Sequence, residues 1–357
     1  MTIDDARLLR WRMHAQLPAT APPDGPRAVA VAAGRAAGVQ AQDEAAARLG
    51  LRARGVRSPA RVEAAYADGS VVASWLMRGT LHLVPAADLR GLLGVFGARN
   101  LAAGARRRRE LGLTEEVCAR AVEVIPEVLH TPLDRADLIA ALIERGVAVD
   151  RGGQAPAHLM AYAAARGVLC RSGELAPRRP GYVLLDGPPP EPAGEAELAG
   201  LARRHLAAFG PAGAEDLAAW SGLPRALCRR ALAGAGLPEV APGLFADPRS
   251  EPAAGPPHVR LLGAYDGYLL GYRDRALMLD PAYAKRINAG GGVIHPALVA
   301  DGRVVGRWRI ERARGASTLV LEPFGVLSRP VLSALRDESE ALAGFLGEES
   351  VLRVERP

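Results

Sequence analysis

Three times along the chain the apolar positions pass from helical spacing, across a tight turn, into a second helix and then into extended residues. The first passage is "RSPARVEAAYADGSVVASWLMRGTLHLVP". There Ser58 suits an N-cap with Pro59 at the first helical position, and Gly69 ends the helix. "VVASWLM" and "TLHLVP" follow as two strands joined at Arg78–Gly79. The second passage predicts helices over about 135–145 and 154–166, then extended "GVLC" and "GYVLLD" around a basic loop, "RRPG". The third, from "LARRHLAAFG" onward, predicts two or three helices separated by Gly210–Pro211 and Gly222. Helix–turn–helix followed by a hairpin is the winged-helix pattern, which can set one helix in a DNA groove and the wing on the backbone. The same geometry also occurs in proteins that never touch DNA. The last hundred residues instead alternate apolar with polar. Asp301–Gly302 is a hairpin turn signal, and a helix near 331–346 and a strand "SVLRVE" close the chain. Proline- and glycine-rich stretches at 186–195 and 241–258 read as linkers.

Composition narrows the function classes. Apolar residues make up 49% of 357, enough for real cores, and no run of eighteen apolar residues suggests a membrane span. The start, "MTIDDARLLRWRMHAQL", does not resemble a secretory signal, so a cytoplasmic protein with no membrane partner is expected. Cys118, Cys170 and Cys228 form no CxxC and suit buried thiols. The seven histidines show neither HxH nor HExxH, so no metal is expected, and no cofactor is expected either.

Net charge is +6, and of 45 basic residues 44 are arginine, Lys285 being the one lysine. A GC-rich genome accounts for that ratio without any function. Still, the C-terminal hairpin gathers Arg303, Arg307, Arg309, Arg312 and Arg314, and "RRRR" spans 106–109. Strand alternation places Arg303, Arg307 and Arg309 on one face if the register holds through the hairpin. Arg303, Arg307, Arg309, Arg312, Arg106 and Arg107 are therefore candidate phosphate contacts, with a solvated surface as the plainer alternative.

"GVQAQDEAAARLGL" places Gln40 and Gln42 on either side of Ala41, just before an acidic, helix-forming run. An amide has no useful pKa and cannot act as a strong base. It offers an acceptor and two donors, so two amides can fix the lone pairs and protons of one water. On a regular helix residues i and i+2 point about 200° apart. On an extended segment they share a face. The pair could equally be two polar residues solvating a helix start.

Taken together, "GVQAQ", "WLMRGTLHLVPAADL", "FGPAGAEDLAAWSGL", "LLGAYDGYLLGYRDR" and "DGRVVGRWR" resemble the winged-helix DNA glycosylase family that includes the azinomycin-resistance enzyme of antibiotic-producing bacteria. The resemblance runs from about residue 5 to 350. It implies an α+β, mainly helical fold: three tandem winged-helix units plus a C-terminal β-rich part, forming a C-shaped DNA clamp. On this chain those units would be 1–112, 113–190, 195–250 and 258–357. It further implies hydrolysis of the N-glycosidic bond of bulky N7-alkylpurines, interstrand crosslinks included, by a monomer on double-stranded DNA. The family's active-site motif is Gln-x-Gln in one branch and Gln-x-Asp in the other. Gln40-Ala41-Gln42 matches the first, which makes Gln40 and Gln42 the catalytic candidates and leaves Asp43 outside the motif. The first branch is associated with resistance to a producer's own genotoxin. His82, Asp266, Tyr265, Tyr268 and Arg78 are weaker candidates. His82 suits the core, Asp266 could face the site or brace the fold, and the tyrosines could stack on a base or pack inside. A non-catalytic winged-helix transcription regulator is the competing reading.

Overall fold

The computed structural model describes residues 3–18, 25–253, 255–313 and 316–356. The chain forms two compact units, one of residues 1–62 with 199–357 and one of residues 63–198.

The first unit begins with helices α1 (Asp5–Gln16) and α2 (Ala28–Arg35), a short strand β1 (Val39–Gln40) and helix α3 (Glu44–Ala53). Helix α4 (Pro59–Ala67) then carries the chain into the second unit. That unit holds strands β2 (Val71–Trp75) and β3 (Leu81–Pro85), helices α5 (Ala86–Glu110) and α6 (Glu115–Val128), and strand β4 (Leu133–Asp134). Helices α7 (Arg135–Glu144) and α8 (Ala155–Ala165) and strands β5 (Leu169–Ala176) and β6 (Arg179–Leu184) complete it. The hairpin predicted at Arg78–Gly79 is present, with Arg78 in a left-handed conformation at φ 55°. The loop predicted at "RRPG" is displaced: Arg179–Gly181 pair within β6, and the turn falls at Arg178, φ 61°. Within the unit the strands run β3-β2-β5-β6-β4. Leu113, Ile125, Leu138, Leu159, Met160 and Tyr182 form its core.

The chain returns through α9 (Glu195–Phe209) to α10 (Ala214–Ser221) and α11 (Arg225–Gly234), where Gly222 closes α10 at φ 77°. A small hairpin, β7 (Glu239–Ala241) with β8 (Leu244–Phe245), occupies part of the stretch expected to be linker. The remainder comprises β9 (Val259–Leu262), α12 (Gly267–Leu270), α13 (Ala284–Ile287), β10 (Asn288–Gly290), β11 (Val293–Ile294), β12 (Ala297–Ala300), β13 (Arg303–Ala313), β14 (Ala316–Pro323), α14 (Arg329–Leu346) and β15 (Ser350–Val354). Five of these strands form a sheet in the order β15-β14-β13-β12-β9, antiparallel except for the β14–β15 pair. Leu335 and Leu342 of α14 pack on Leu298, Trp308, Leu319 and Leu321. The Asp301–Gly302 turn has both residues at positive φ, 47° and 86°, the two-residue turn that matches strand twist. Glycine is also required sterically, because a Cβ at position 302 would lie 2.5 Å from the Leu9 carbonyl oxygen. The molecule is thus α+β and about half helical, and among the described residues no helix is long and apolar enough to cross a membrane.

Candidate active site

The glutamine pair lies on a short extended segment between two helix ends. Helix α2 ends at Arg35, and the amide of Gly38 bonds back to the Ala33 carbonyl at 2.9 Å. Gly38, at φ 102°, then releases the chain into β1. Asp43 stops that segment by capping α3: its side chain accepts from the Ala46 amide at 2.9 Å. The carboxylate of Asp43 is thereby committed to the helix, which accounts physically for Gln42 being the second member of the pair. Period-two alternation does the rest. Val39 and Ala41 are buried, and Gln40 and Gln42 share the other face.

There the two side chains meet. Gln40 Nε2 donates to Gln42 Oε1 at 3.2 Å. Gln40 Oε1 is buried and has no hydrogen-bond partner. A buried carbonyl without a partner costs about 1–3 kcal/mol, so it marks a position suited to an incoming donor. Gln42 is exposed, so the pair is open from that side.

Helix α3 is fixed behind the pair by two buried ion pairs that no local sequence signal reveals. Arg54, just past its end, donates from Nη1 and Nη2 to Asp266 at 2.9 and 3.0 Å, and also to the Gly50 carbonyl at 2.7 Å and to Gln16. Both charged side chains are 1% exposed, so each would be intolerable without the other. Asp266 additionally accepts from the Tyr268 amide at 2.9 Å, capping α12. It braces the fold. Arg52 pairs with Glu338 of α14, which also accepts from the Leu261 amide at 2.8 Å. Gly50 sits where these parts converge: a Cβ there would lie 3.1 Å from Val39 Cγ1 and 3.6 Å from Asp266 Oδ2.

The basic candidates are present but mostly engaged. Arg307 and Arg309 both bond to Glu322, Arg309 also to Glu311 at 2.8 Å, and Arg312 to Glu348 at 3.0 Å. The Arg307 hydrogen bond is the main cause that holds the Glu322 carboxyl below its usual range. The expectation that Arg303 shares a face with Arg307 and Arg309 fails. A register shift between Leu298 and Val299 inserts an extra residue in β13, setting Arg303 opposite Ala300 and Arg307 opposite Ala297. Those partners are three apart on β12, hence on opposite faces. Arg303 instead donates to the Leu277 carbonyl at 3.2 Å. Arg314 lies outside the described residues. In the other unit Arg106 and Arg107 pair with Glu110 at 2.8 and 3.0 Å. The run is divided: Arg108 is buried over the Tyr162 ring and donates to the Leu101 carbonyl.

The remaining candidates separate cleanly. His82 is buried, its Nδ1 2.9 Å from the Thr80 carbonyl oxygen, and burial pushes its pKa down to about 3. It is a neutral core histidine. Tyr268 is fully buried, its hydroxyl donating to the Gly302 carbonyl at 2.8 Å. Tyr265 is half-buried at φ 58°. Arg78 is exposed at its hairpin tip, Lys285 is exposed on α13, and the three cysteines are free and buried.

A family model for AlkZ-like DNA glycosylases matches residues 33–345, a span that includes the whole Gln40–Gln42 segment. The chain belongs to the AlkZ-like DNA glycosylase family. An interstrand DNA cross-link repair glycosylase of Streptomyces sahachiroi is 29% identical to it over 96% of each chain. The solved structure of the S. sahachiroi DNA glycosylase AlkZ superimposes with a TM-score of 0.83 at 26% identity, covering 99% of this chain and all of that one. The AlkZ-like chain is accordingly a DNA glycosylase, and the competing transcription-regulator reading gives way to an enzyme.

Proposed function

We propose that this glycosylase hydrolyses the N-glycosidic bond of bulky N7-alkylpurines in duplex DNA, interstrand crosslinks among them, with Gln40 and Gln42 holding the attacking water. The observation that carries this is the buried, unpartnered Gln40 Oε1 beside the Gln40–Gln42 hydrogen bond. An N7-alkylated guanine is already cationic and leaves without protonation. What the enzyme must supply is a water at the right distance and angle for an oxocarbenium-like sugar. Gln40 Oε1 would accept one water proton, and the amide of Gln42 would orient the same molecule. Their carbonyl dipoles would face the developing positive charge. The cross-link repair named for the S. sahachiroi relative is in keeping with a bulky cationic purine as substrate.

DNA would be gripped by Arg307, Arg309 and Arg312 on the C-terminal hairpin, by Arg303 on its other face and by Arg106 and Arg107, with phosphates replacing the carboxylate partners, and in the case of Arg303 the Leu277 carbonyl. Helices α7 and α8 with the β5–β6 hairpin, and α10 and α11 with β7–β8, would act as winged-helix elements. The enzyme is taken to work as a monomer, without a cofactor.

The test is single-turnover excision of N7-methylguanine from duplex DNA, scored by strand breakage in hot alkali. Gln40→Ala and Gln42→Ala should each slow it by on the order of 10²–10³, with circular dichroism unchanged and affinity for undamaged DNA preserved. Parental rates in both folded variants would remove the pair from the active site.

A further inference from the structure

We propose that Tyr265 contacts the substrate by stacking its ring on the cationic purine, and so discriminates charged from neutral bases. This rests on the glutamine pair being the active site. The starting observation is conformational. Tyr265 has φ 58°, a region natural to glycine and asparagine but an outlier for a bulky aromatic residue. Backbone strain of this kind persists only where the surroundings over-determine it.

The surroundings do so on both sides. At residue 266 the Asp266 carboxylate is locked by the buried Arg54 guanidinium and by the Tyr268 amide. At residue 263 the backbone is pressed on α3, since a Cβ there would lie 2.8 Å from Leu49 Cβ and 3.3 Å from the Ala46 carbonyl oxygen. The loop 263–266 thus runs along α3, from Ala46 and Leu49 at residue 263 to Gly50 at residue 266. It also reaches the neighbour of Gln40, because Val39 and Asp266 both lie within 4 Å of the Cβ position of Gly50. Gln40 and Tyr265 are each one residue from that meeting point.

Unlike Tyr268 and Tyr272, which are buried with hydroxyls bonded to the Gly302 and Phe209 carbonyls, Tyr265 is only half-buried. Neither its ring nor its hydroxyl has a partner among the described residues. A glycine would fit this backbone without strain, yet the chain places there an electron-rich ring. Such a ring attracts a cation over its face. The attraction is present while the purine carries its N7 charge and weakens when the bond breaks and the base leaves neutral, which also favours release of the product.

The experiment measures dissociation constants for duplex carrying a 2′-fluoro-stabilised N7-methyldeoxyguanosine and for the same duplex undamaged, and compares their ratio among variants. A packing defect moves both constants together; stacking moves only the lesion. Tyr265→Ala and Tyr265→Gly should reduce the lesion preference roughly 5- to 100-fold, and Tyr265→Phe and Tyr265→Trp should restore it. Tyr265→Gly should also melt no lower than the parent, because it relieves the backbone. An unchanged ratio in folded Tyr265→Ala and Tyr265→Gly would overturn the proposal. Gln40→Ala and Gln42→Ala, assayed for excision in parallel, separate the two failures. If they excise at the parental rate the glutamine reading falls; if they do not, and the ratio at Tyr265 is unmoved, only the stacking falls.

Discussion

Gln40 and Gln42, two residues apart, are joined side chain to side chain by a 3.2 Å hydrogen bond in which the Gln40 amide donates and the Gln42 oxygen accepts. On the proposed mechanism that polarity would give the two positions different duties: Gln42 would orient Gln40 as well as the water, and Gln40 would keep its own oxygen for that water.

Gln42→Glu therefore should excise N7-methylguanine faster than Gln42→Ala. The introduced carboxylate still accepts from Gln40 and adds negative charge near the forming cation. Gln40→Ala combined with Gln42→Ala should cost less than the product of the single losses, because both act on one water. Single-turnover rates for the parent and the four variants decide it, and strictly multiplicative losses would mean independent roles.

Glu322 should act as a brake on DNA binding. It bonds to both Arg307 and Arg309 and is itself only 12% exposed, so those guanidinium groups must leave a good partner to reach phosphate. Glu322→Gln should tighten binding to undamaged duplex, whereas Arg307→Ala with Arg309→Ala should weaken it and flatten the salt slope by up to about two units. Titrations at several salt concentrations check both. Equal slopes in all three proteins would show that this hairpin does not touch DNA.

Asp266→Ala should destabilise the first unit by about 3–5 kcal/mol, since it strands the buried Arg54 charge. Denaturant unfolding measures this. A folded variant of parental stability would contradict the assignment of Asp266 as a brace.

His205 should make the protein sensitive to acid. It is fully buried between Phe209 and Trp220, with neither ring nitrogen bonded, and burial pushes its pKa down to about 3. The unfolded chain takes up a proton near pH 6.5 and the folded one does not. Stability is therefore level above about pH 6.5 and falls by about 1.4 kcal/mol per pH unit for this group as pH drops from there toward 3. His82, shifted in the same direction, adds a like slope to the other unit. His258, pushed down to about 3 chiefly by burial, adds a like slope to the first unit, so His205→Leu should remove only the share of His205. Denaturant titrations at pH 7.5 and 5 compare the two proteins, and an identical pH difference would show that His205 is charged in the fold.

Much of the local structure was legible in the residues themselves. Gly38 and the acidic, helix-forming run after the pair pointed to a break ahead of a helix where Gln40 and Gln42 could converge, and the structure makes that break an extended segment with both on one face. Asp301–Gly302 set a hairpin, and Arg78–Gly79 another. These are short-range outcomes, decided by backbone sterics and by capping within a few residues. Whatever depended on distant partners was not legible. The pairing of Arg54 with Asp266 spans 212 residues, and nothing near either one announces it. The bulge that turns Arg303 away from Arg307 arises from the pairing of β12 with β13, not from the spacing of the arginines. The hairpin arginines read as free charge in one dimension, and the fold sets Glu311, Glu322 and Glu348 against them. Tyr265 and Tyr268, three residues apart in one motif, were indistinguishable by sequence. The fold buries Tyr268 and leaves Tyr265 half-exposed, because a side chain's exposure is decided by what packs over it.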